Sequence, residues 1–209
     1  SGVDLRQPAW QQALAAWDRF VAAMVQRYQE HVDEWEVWNE PGLRGANPVA
    51  TYGDLLIRSA EVIRARQPDS QVIGLAMAGI KPAWVRSVLD YLQDKGKLEL
   101  IDQISYHPYA LNPDNSYPHV LQLRKLVASF SPRLTLRQGE NGAPSQRGSF
   151  GALAQHDWTE DSQAKWALRR LMGDLGHDVP SSYFAICDME YPSRRNYKGL
   201  LAIHEDKTV

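Results

Sequence analysis

Apolar residues along this chain alternate between the spacing of an amphipathic helix and the short, nearly continuous runs of a buried strand. Apolar positions three and four apart predict helices over residues 8–31, 50–67, 84–94, 120–130 and 160–175. Apolar runs between and after them predict strands over residues 36–38, 72–78, 101–106, 133–138 and 183–187. Strict alternation of this kind indicates an α/β fold in which helices cover a parallel sheet.

The number of predicted strands leaves two architectures open. A closed (β/α)8 barrel needs eight strands and typically about 250 residues, whereas this chain has 209 residues and five predicted strands. The sheet is therefore either open and doubly wound or part of an incomplete barrel. Segments rich in Gly, Pro and Asn follow the strands, and ligands of parallel α/β folds gather at the carboxyl ends of strands. We expect a functional site there, in one domain spanning residues 1–209.

Composition narrows the classes of partner. The formal charge of −2 is spread without any block of Lys and Arg, so we do not expect a nucleic-acid partner. No run approaches 18 apolar residues, so no membrane-spanning helix is predicted. Cys187 is the only cysteine, which excludes an intrachain disulfide and a cysteine-based zinc site. His156, His177 and His204 lack the spacing of metal ligands, so no metal site is expected.

The stretch "EVWNEPG", residues 36–42, places polar groups where an apolar strand ends. Trp38 is interpreted as a core residue, and Asn39 and Glu40 follow it directly. Pro41 and Gly42 then prevent the strand from continuing. By itself this pattern fits either a cap for the next helix or the working end of a site.

A second strand end carries another carboxylate. In "LTLRQGENGAPS", residues 134–145, Glu140 stands between Gly139 and an Asn-Gly turn. If the sheet curls into a barrel, Glu40 and Glu140 both point into one central cleft. Two carboxyl groups in one cleft are the requirement for glycoside hydrolysis, in which one attacks the anomeric carbon and the other protonates the leaving oxygen.

Further polar residues follow other strands. His107 and Tyr109, in "SYHPY", are candidates to line the same cleft, where a tyrosine hydroxyl could hold a carboxylate ionised. A structural role for the histidine is the alternative. Asp188 and Glu190 fit a polar rim, paired with Arg194 or Arg195, better than they fit catalysis.

The motifs "WNEP", "YHPY" and "GENG", in this order at three of the predicted strand ends, resemble those of retaining glycoside hydrolases with a (β/α)8 TIM barrel, the group called clan A. Cellulase-like family 5 and xylosidase-like family 39 are the nearest in pattern. The resemblance implies that Glu40 is the acid/base, that Glu140 is the nucleophile, and that Asn39 hydrogen-bonds the sugar 2-hydroxyl. It also implies a carbohydrate substrate and no cofactor.

The same resemblance has consequences for the extent of the fold. Clan members often have a tryptophan at the end of strand eight, where this chain has "CDMEYP", so Tyr191 is the candidate replacement in the sugar site. The chain matches strands four to eight, which makes it the C-terminal part of one catalytic barrel. We expect an N-terminal segment, or a separate piece, to supply strands one to three. The resemblance also favours a secreted or periplasmic location.

Two other functions remain open from the sequence. A non-catalytic carbohydrate-binding pseudoenzyme could hold a glycan in the same cleft. An unrelated α/β enzyme with an open sheet would instead keep Glu40 and Glu140 far apart.

Overall fold

A computed structural model describes residues 7–41 and 49–203 of the chain. Gly42 and His204, which enter the sequence predictions, lie outside the described residues. The chain divides into two compact units, which we call unit 1 (residues 1–106 and 123–136) and unit 2 (residues 107–122 and 137–209).

Within the described residues, five strands form a parallel sheet in which spatial order follows chain order. They are β1 Glu34–Glu36, β2 Gln71–Ala78, β3 Gln103–His107, β4 Thr135–Asn141 and β5 Ser181–Tyr183. A parallel sheet of consecutive strands is the arrangement of a partial TIM barrel, so the predicted fold class is confirmed.

In the part of the chain that the structure describes, five α-helices alternate with these strands, as the apolar spacing predicts. They are α1 Pro8–Tyr28, α2 Val49–Arg64, α3 Pro82–Asp94, α4 Tyr117–Phe130 and α5 Glu160–Gly176. Short 3-10 helices span Leu98–Leu100 and Pro113–Ser116. Among the described residues, no helix is both long and apolar enough to cross a membrane.

In unit 1, the amino-terminal end of β3 is held by ion pairs. Asp102 pairs with Arg64 and, at 2.7 Å, with Arg133, and its carboxylate also accepts a hydrogen bond from the backbone N–H of Val72 at 2.8 Å. Residues at this end of a barrel strand serve stability. The functional site is therefore expected at the carboxyl ends of the strands.

The first strand differs from its prediction. It covers Glu34–Glu36 rather than residues 36–38, although the N–H of Val37 still donates to the carbonyl of Ile73 at 2.9 Å. Trp38 adopts a positive φ of 68°, which ends the regular strand. Its predicted core position is wrong, because its side chain is 49% exposed and packs edge-on against Trp17.

The last predicted strand, residues 183–187, is also displaced. The strand in the sheet is Ser181–Tyr183, and the chain then leaves the parallel ladder to pair with a returning segment. The N–H of Ala185 donates to the carbonyl of Lys198 at 3.2 Å, and Cys187 bridges to Leu201. Between these segments lies an antiparallel hairpin that the sequence did not predict, β6 Met189–Tyr191 and β7 Arg194–Asn196.

Candidate active site

Glu140 is the central carboxylate of unit 2. It is the second-last residue of β4, and its side chain is 23% exposed. The hydroxyl of Tyr109 donates a hydrogen bond to Oε1 at 2.7 Å, while Nδ1 of the buried His107 lies 3.7 Å from Oε2. The structure thus brings together three of the predicted site residues, with one carboxylate oxygen held by a phenol and the other beside an imidazole.

The loop after β3 explains why these two side chains reach Glu140. β3 ends at His107, and Pro108 prevents its continuation, so the N–H of Tyr109 bonds back to the carbonyl of His107 at 3.1 Å. The carbonyl of Pro108 accepts a hydrogen bond from Nη2 of Arg170 at 2.9 Å. The guanidinium of Arg170, on helix α5, therefore anchors Pro108, the residue between His107 and Tyr109.

The backbone of β4 is irregular at Glu140. Its pairing with β5 shifts register between Gln138 and Asn141, which is the signature of a bulge that can redirect a side chain. The side chain of Asn141 donates a hydrogen bond to the carbonyl of Ser182 at 3.0 Å, which holds the bulge against β5. A Cβ built on Gly142 would lie 2.0 Å from a backbone carbonyl oxygen, so only glycine permits this approach.

A buried polar network supports this end of unit 2. The side chains of Arg170 and Asp174 are both fully buried and lie 3.4 Å apart at their nearest charged atoms. Arg170 also donates to Ser116 at 3.0 Å, and the Ser181 hydroxyl lies within hydrogen-bond distance of an oxygen of Asp174, at 2.8 Å, and of Gln138, at 2.7 Å. Burial raises the pKa of the Asp174 carboxyl above its usual value, against the opposing effects of Ser181 and Arg170.

Two supporting residues were missed by the sequence predictions. Arg170 and Asp174 occupy the buried face of α5 at a spacing of four, and charged residues on the inward face of a helix are the signal that could have found them.

Lys198 was also missed. It is 2% exposed, and its Nζ lies 5.9 Å from the centroid of the Tyr109 ring. Burial lowers the pKa of Lys198 to about 8, against the opposing charge of Glu140.

Glu40 stands at the corresponding end of β1 in unit 1. Its side chain is half-buried, and its backbone N–H donates to the carbonyl of Ala76 at 2.9 Å, with a φ of +47°. The buried hydroxyl of Tyr52 donates to the carbonyl of Val37 at 3.3 Å and accepts from the N–H of Leu75 at 2.6 Å. The end of β1 is therefore tied to β2 by both backbone and side-chain hydrogen bonds.

The remaining candidates have separate environments. Asn39 is exposed beside Glu40. Tyr191 lies on β6, is 40% exposed, and packs edge-on against Phe150 at 5.0 Å. Glu190 pairs with Arg195 at 3.6 Å, which matches the predicted polar rim. The catalytic and sugar-binding roles of Glu40, Glu140, Asn39, His107, Tyr109 and Tyr191 stay predictions, as does the expectation that no metal or cofactor is needed.

Comparison with known protein families adds independent information. The sequence model of "Glycosyl hydrolases family 39" matches residues 7–133. This segment includes Glu40, His107 and Tyr109 but ends before Glu140. No curated protein matches the sequence.

Solved structures extend the likeness to the rest of the chain. A family 39 glycoside hydrolase from the gut symbiont Bacteroides cellulosilyticus WH2 has a TM-score of 0.71 at 22% identity, over 92% of this chain and 41% of that one. A family 39 β-xylosidase from Caulobacter crescentus has a TM-score of 0.66 at 25% identity, over 90% of this chain and 43% of that one. This chain thus spans less than half the length of these similar proteins.

Proposed function

We propose a function from the premise that this chain belongs to glycosyl hydrolase family 39. In this proposal, Glu140 and Glu40 together hydrolyse an O-glycosidic bond with retention of configuration. The observation that carries this proposal is the environment of Glu140. A hydroxyl donor at 2.7 Å from Oε1 fixes the orientation of the carboxylate. Oε2, which makes no such short contact with His107, is then the oxygen that attacks.

The proposed reaction has two displacements. In the first, Oε2 of Glu140 bonds to the anomeric carbon while the bond from that carbon to the leaving oxygen breaks, and Glu40 gives its proton to that oxygen. In the second, Glu40 takes a proton from water, the water oxygen bonds to the anomeric carbon, and the ester bond to Glu140 breaks. Asn39, beside Glu40, holds the sugar 2-hydroxyl, and Tyr191 borders the sugar site.

Retention requires the two carboxyl groups to be about 5–5.5 Å apart. This proposal therefore includes one cleft shared by Glu40 and Glu140. Carbohydrate is the proposed substrate class, and a β-xyloside is the first to test because one similar structure is a β-xylosidase.

Chemical rescue by azide tests the two roles separately. Using an aryl β-xyloside and the complete protein, Glu140→Ala should lose turnover and recover it with azide as an α-glycosyl azide. Glu40→Ala should be rescued as a β-glycosyl azide, because azide then replaces water at the glycosyl-enzyme. Glu99→Gln, an exposed acid at the amino-terminal end of β3, is the matched control. Full activity in Glu140→Ala would end the assignment, and binding of xylosides without turnover would favour a carbohydrate-binding pseudoenzyme.

We also propose that this chain is the C-terminal part of a single catalytic barrel and that further strands pair with the outer edge of β1. β1 is the edge strand of the described sheet. Beside it, in unit 1, is a mainly apolar pocket of about 200 Å³. Its lining includes Trp17, Phe20, Val21, Met24, Trp35 and Val37.

An edge strand next to an apolar pocket is an aggregation hazard unless it is covered. An N-terminal segment that supplies strands one to three would cover both. Size-exclusion chromatography and intact mass of the 209-residue chain test this. We expect association or inactivity, and a stable, active monomer would contradict it.

A further inference from the structure

Lys198 places a buried ammonium group beside the residues that hold Glu140. It follows β7, and its side chain passes Gly142, where a built Cβ would lie 3.5 Å from its Cδ. Its Nζ donates to the carbonyl of Phe150 at 3.1 Å. A built Cβ on Gly151 would lie 3.5 Å from the same nitrogen, so this side of the ammonium is walled by backbone rather than by another side chain.

The Tyr109 ring links this ammonium to Glu140. Nζ lies 5.9 Å from the ring centroid, which is within the range of a cation–π interaction. The hydroxyl of the same ring donates to Glu140 at 2.7 Å. A positive charge near the ring both holds the ring in place and makes its hydroxyl a stronger hydrogen-bond donor.

We propose that Lys198 is a positioning residue for Glu140. The ammonium charge of Lys198 stabilises the free carboxylate of Glu140 and so assists the departure of that carboxylate from the glycosyl ester. This inference rests on the proposed function, in which Glu140 is the nucleophile. The charge acts directly on Glu140 and also through Tyr109.

The two steps of the reaction respond to this charge in opposite directions. Glu140 is negative before attack and uncharged in the glycosyl ester. A nearby ammonium stabilises the carboxylate before attack, which slows ester formation. It equally stabilises the carboxylate that leaves when water hydrolyses the ester, which speeds the second step. Lys198 therefore favours release of the sugar over its capture.

The coupling between the two charges is reciprocal. The negative charge of Glu140 raises the pKa of Lys198, while burial is the larger effect and lowers it to about 8. By linkage, protonated Lys198 stabilises ionised Glu140 by the same free energy. Among the described residues, the titratable groups that face the ammonium are Glu140 on β4 and Tyr109 after β3, and the segment at Phe150 contributes a carbonyl.

Kinetics with a 2,4-dinitrophenyl β-xyloside test the opposing effects. This leaving group needs little protonation, so ester hydrolysis limits kcat. In the complete protein, Lys198→Met should lower kcat about tenfold, the equivalent of one pK unit of interaction. KM should fall in parallel because the ester accumulates. A lower kcat/KM with a raised KM, or an unchanged kcat, would overturn the proposal. Lys165→Met, which removes an exposed lysine of α5, is the matched control and should change neither constant.

The pH profile gives a second readout. When ester hydrolysis limits kcat, Glu40 acts as a base and is active in its unprotonated form. The fall of kcat on the alkaline side of the pH profile is then caused by deprotonation of Lys198, and it lies at or below about pH 8. Lys198→Arg keeps a charge that does not titrate in this range. It should retain kcat and lose the alkaline limb, and an unchanged limb would contradict the role of Lys198.

An NMR titration, which requires no turnover, tests the coupling between Lys198 and Glu140 directly. The 13Cε resonance of Lys198, assigned by its loss in Lys198→Arg, should titrate near pH 8 in the wild type. In Glu140→Gln the pKa of Lys198 should fall, because an attractive negative charge is gone. An unchanged or higher pKa would overturn the proposal. A lowered pKa in a protein that hydrolyses no glycoside would instead refute the proposed function while supporting the charge coupling.

Discussion

The buried pair of Arg170 and Asp174 provides a stringent test of what holds the Glu140 end of unit 2. Replacing Arg170 by Met keeps most of the side-chain volume and removes the charge. Asp174 is then a buried carboxylate without its cation, and the carbonyl of Pro108 and the hydroxyl of Ser116 lose their donor. Removing one partner of a buried ion pair costs about 3–5 kcal/mol. The total free energy of unfolding of a domain is about 5–15 kcal/mol.

Urea unfolding measures this loss, since urea is uncharged and does not screen the pair. With slopes of about 1–3 kcal/mol per molar, the midpoint of Arg170→Met should fall by at least about 1 M. The neighbouring Arg169→Met is the matched control. Its ion pair with Asp114 is exposed, so its midpoint should change little. Equal midpoints for Arg169→Met and Arg170→Met would refute the reasoning.

A double variant separates charge from packing. Arg170→Met with Asp174→Leu removes both charges, and apolar replacement of a buried pair is often neutral or stabilising. We therefore expect the double variant to be more stable than Arg170→Met alone. A double variant as unstable as the single one would show that packing, rather than the unpaired carboxylate, causes the loss.

The pH dependence of Arg170→Met follows from the sign of the Asp174 shift. Burial raises the pKa of Asp174 in the folded state, so the folded state binds this proton more tightly than the unfolded state. Stability from this group is present at low pH and is lost as the pH rises through the folded-state pKa. Arg170→Met strengthens that effect. Its deficit relative to the wild type should be largest at neutral pH and should narrow in acid.

Three further substitutions test other parts of the account. Tyr109→Phe removes a hydrogen bond to the Glu140 carboxylate, worth about 1.5–3 kcal/mol, and this carboxylate is the group that leaves in the second step. On a 2,4-dinitrophenyl β-xyloside, where ester hydrolysis limits kcat, kcat should therefore fall by up to about 10- to 100-fold. A loss of less than twofold would contradict the support given to Glu140. Gly142→Ala should lower both activity and the urea midpoint, because the new Cβ would lie 2.0 Å from a backbone carbonyl oxygen. Gly176→Ala is the control, since its Cβ enters open space and the change should be neutral or slightly stabilising. Equal effects of the two substitutions would contradict this reasoning. Tyr52→Phe leaves a buried backbone N–H of β2 without its acceptor and should lower the free energy of unfolding by about 1–3 kcal/mol, which an unchanged urea midpoint would disprove.

Sequence patterns predicted the alternation of helices and strands because each element carries the apolar spacing of its own geometry. They also predicted that His107, Tyr109 and Glu140 would meet, since parallel strands bring their carboxyl ends to one edge of a sheet. These three residues contact one another within unit 2. This part of the site depends on local signals and on one general rule of topology.

Other features depend on tertiary contacts that no local pattern contains. Trp38 has the composition of a strand residue, yet a positive φ turns it to the surface. The β6–β7 hairpin is rich in charged residues and lacks the alternation that identifies a strand. Lys198 is a charged residue in a polar segment, and its burial arises only when the chain folds back past Gly142. The buried network around Arg170 likewise joins residues distant in sequence.

The separation of the Glu40 and Glu140 carboxyl carbons tests the central claim most directly. An experimental structure of the complete protein, crystallised with a xyloside, would measure it. We predict about 5–5.5 Å, the distance at which one carboxylate attacks the sugar while the other protonates the leaving oxygen. A separation of about 6.5–9.5 Å would indicate inversion instead of retention, and carboxyl groups in different clefts would contradict the two-glutamate mechanism altogether.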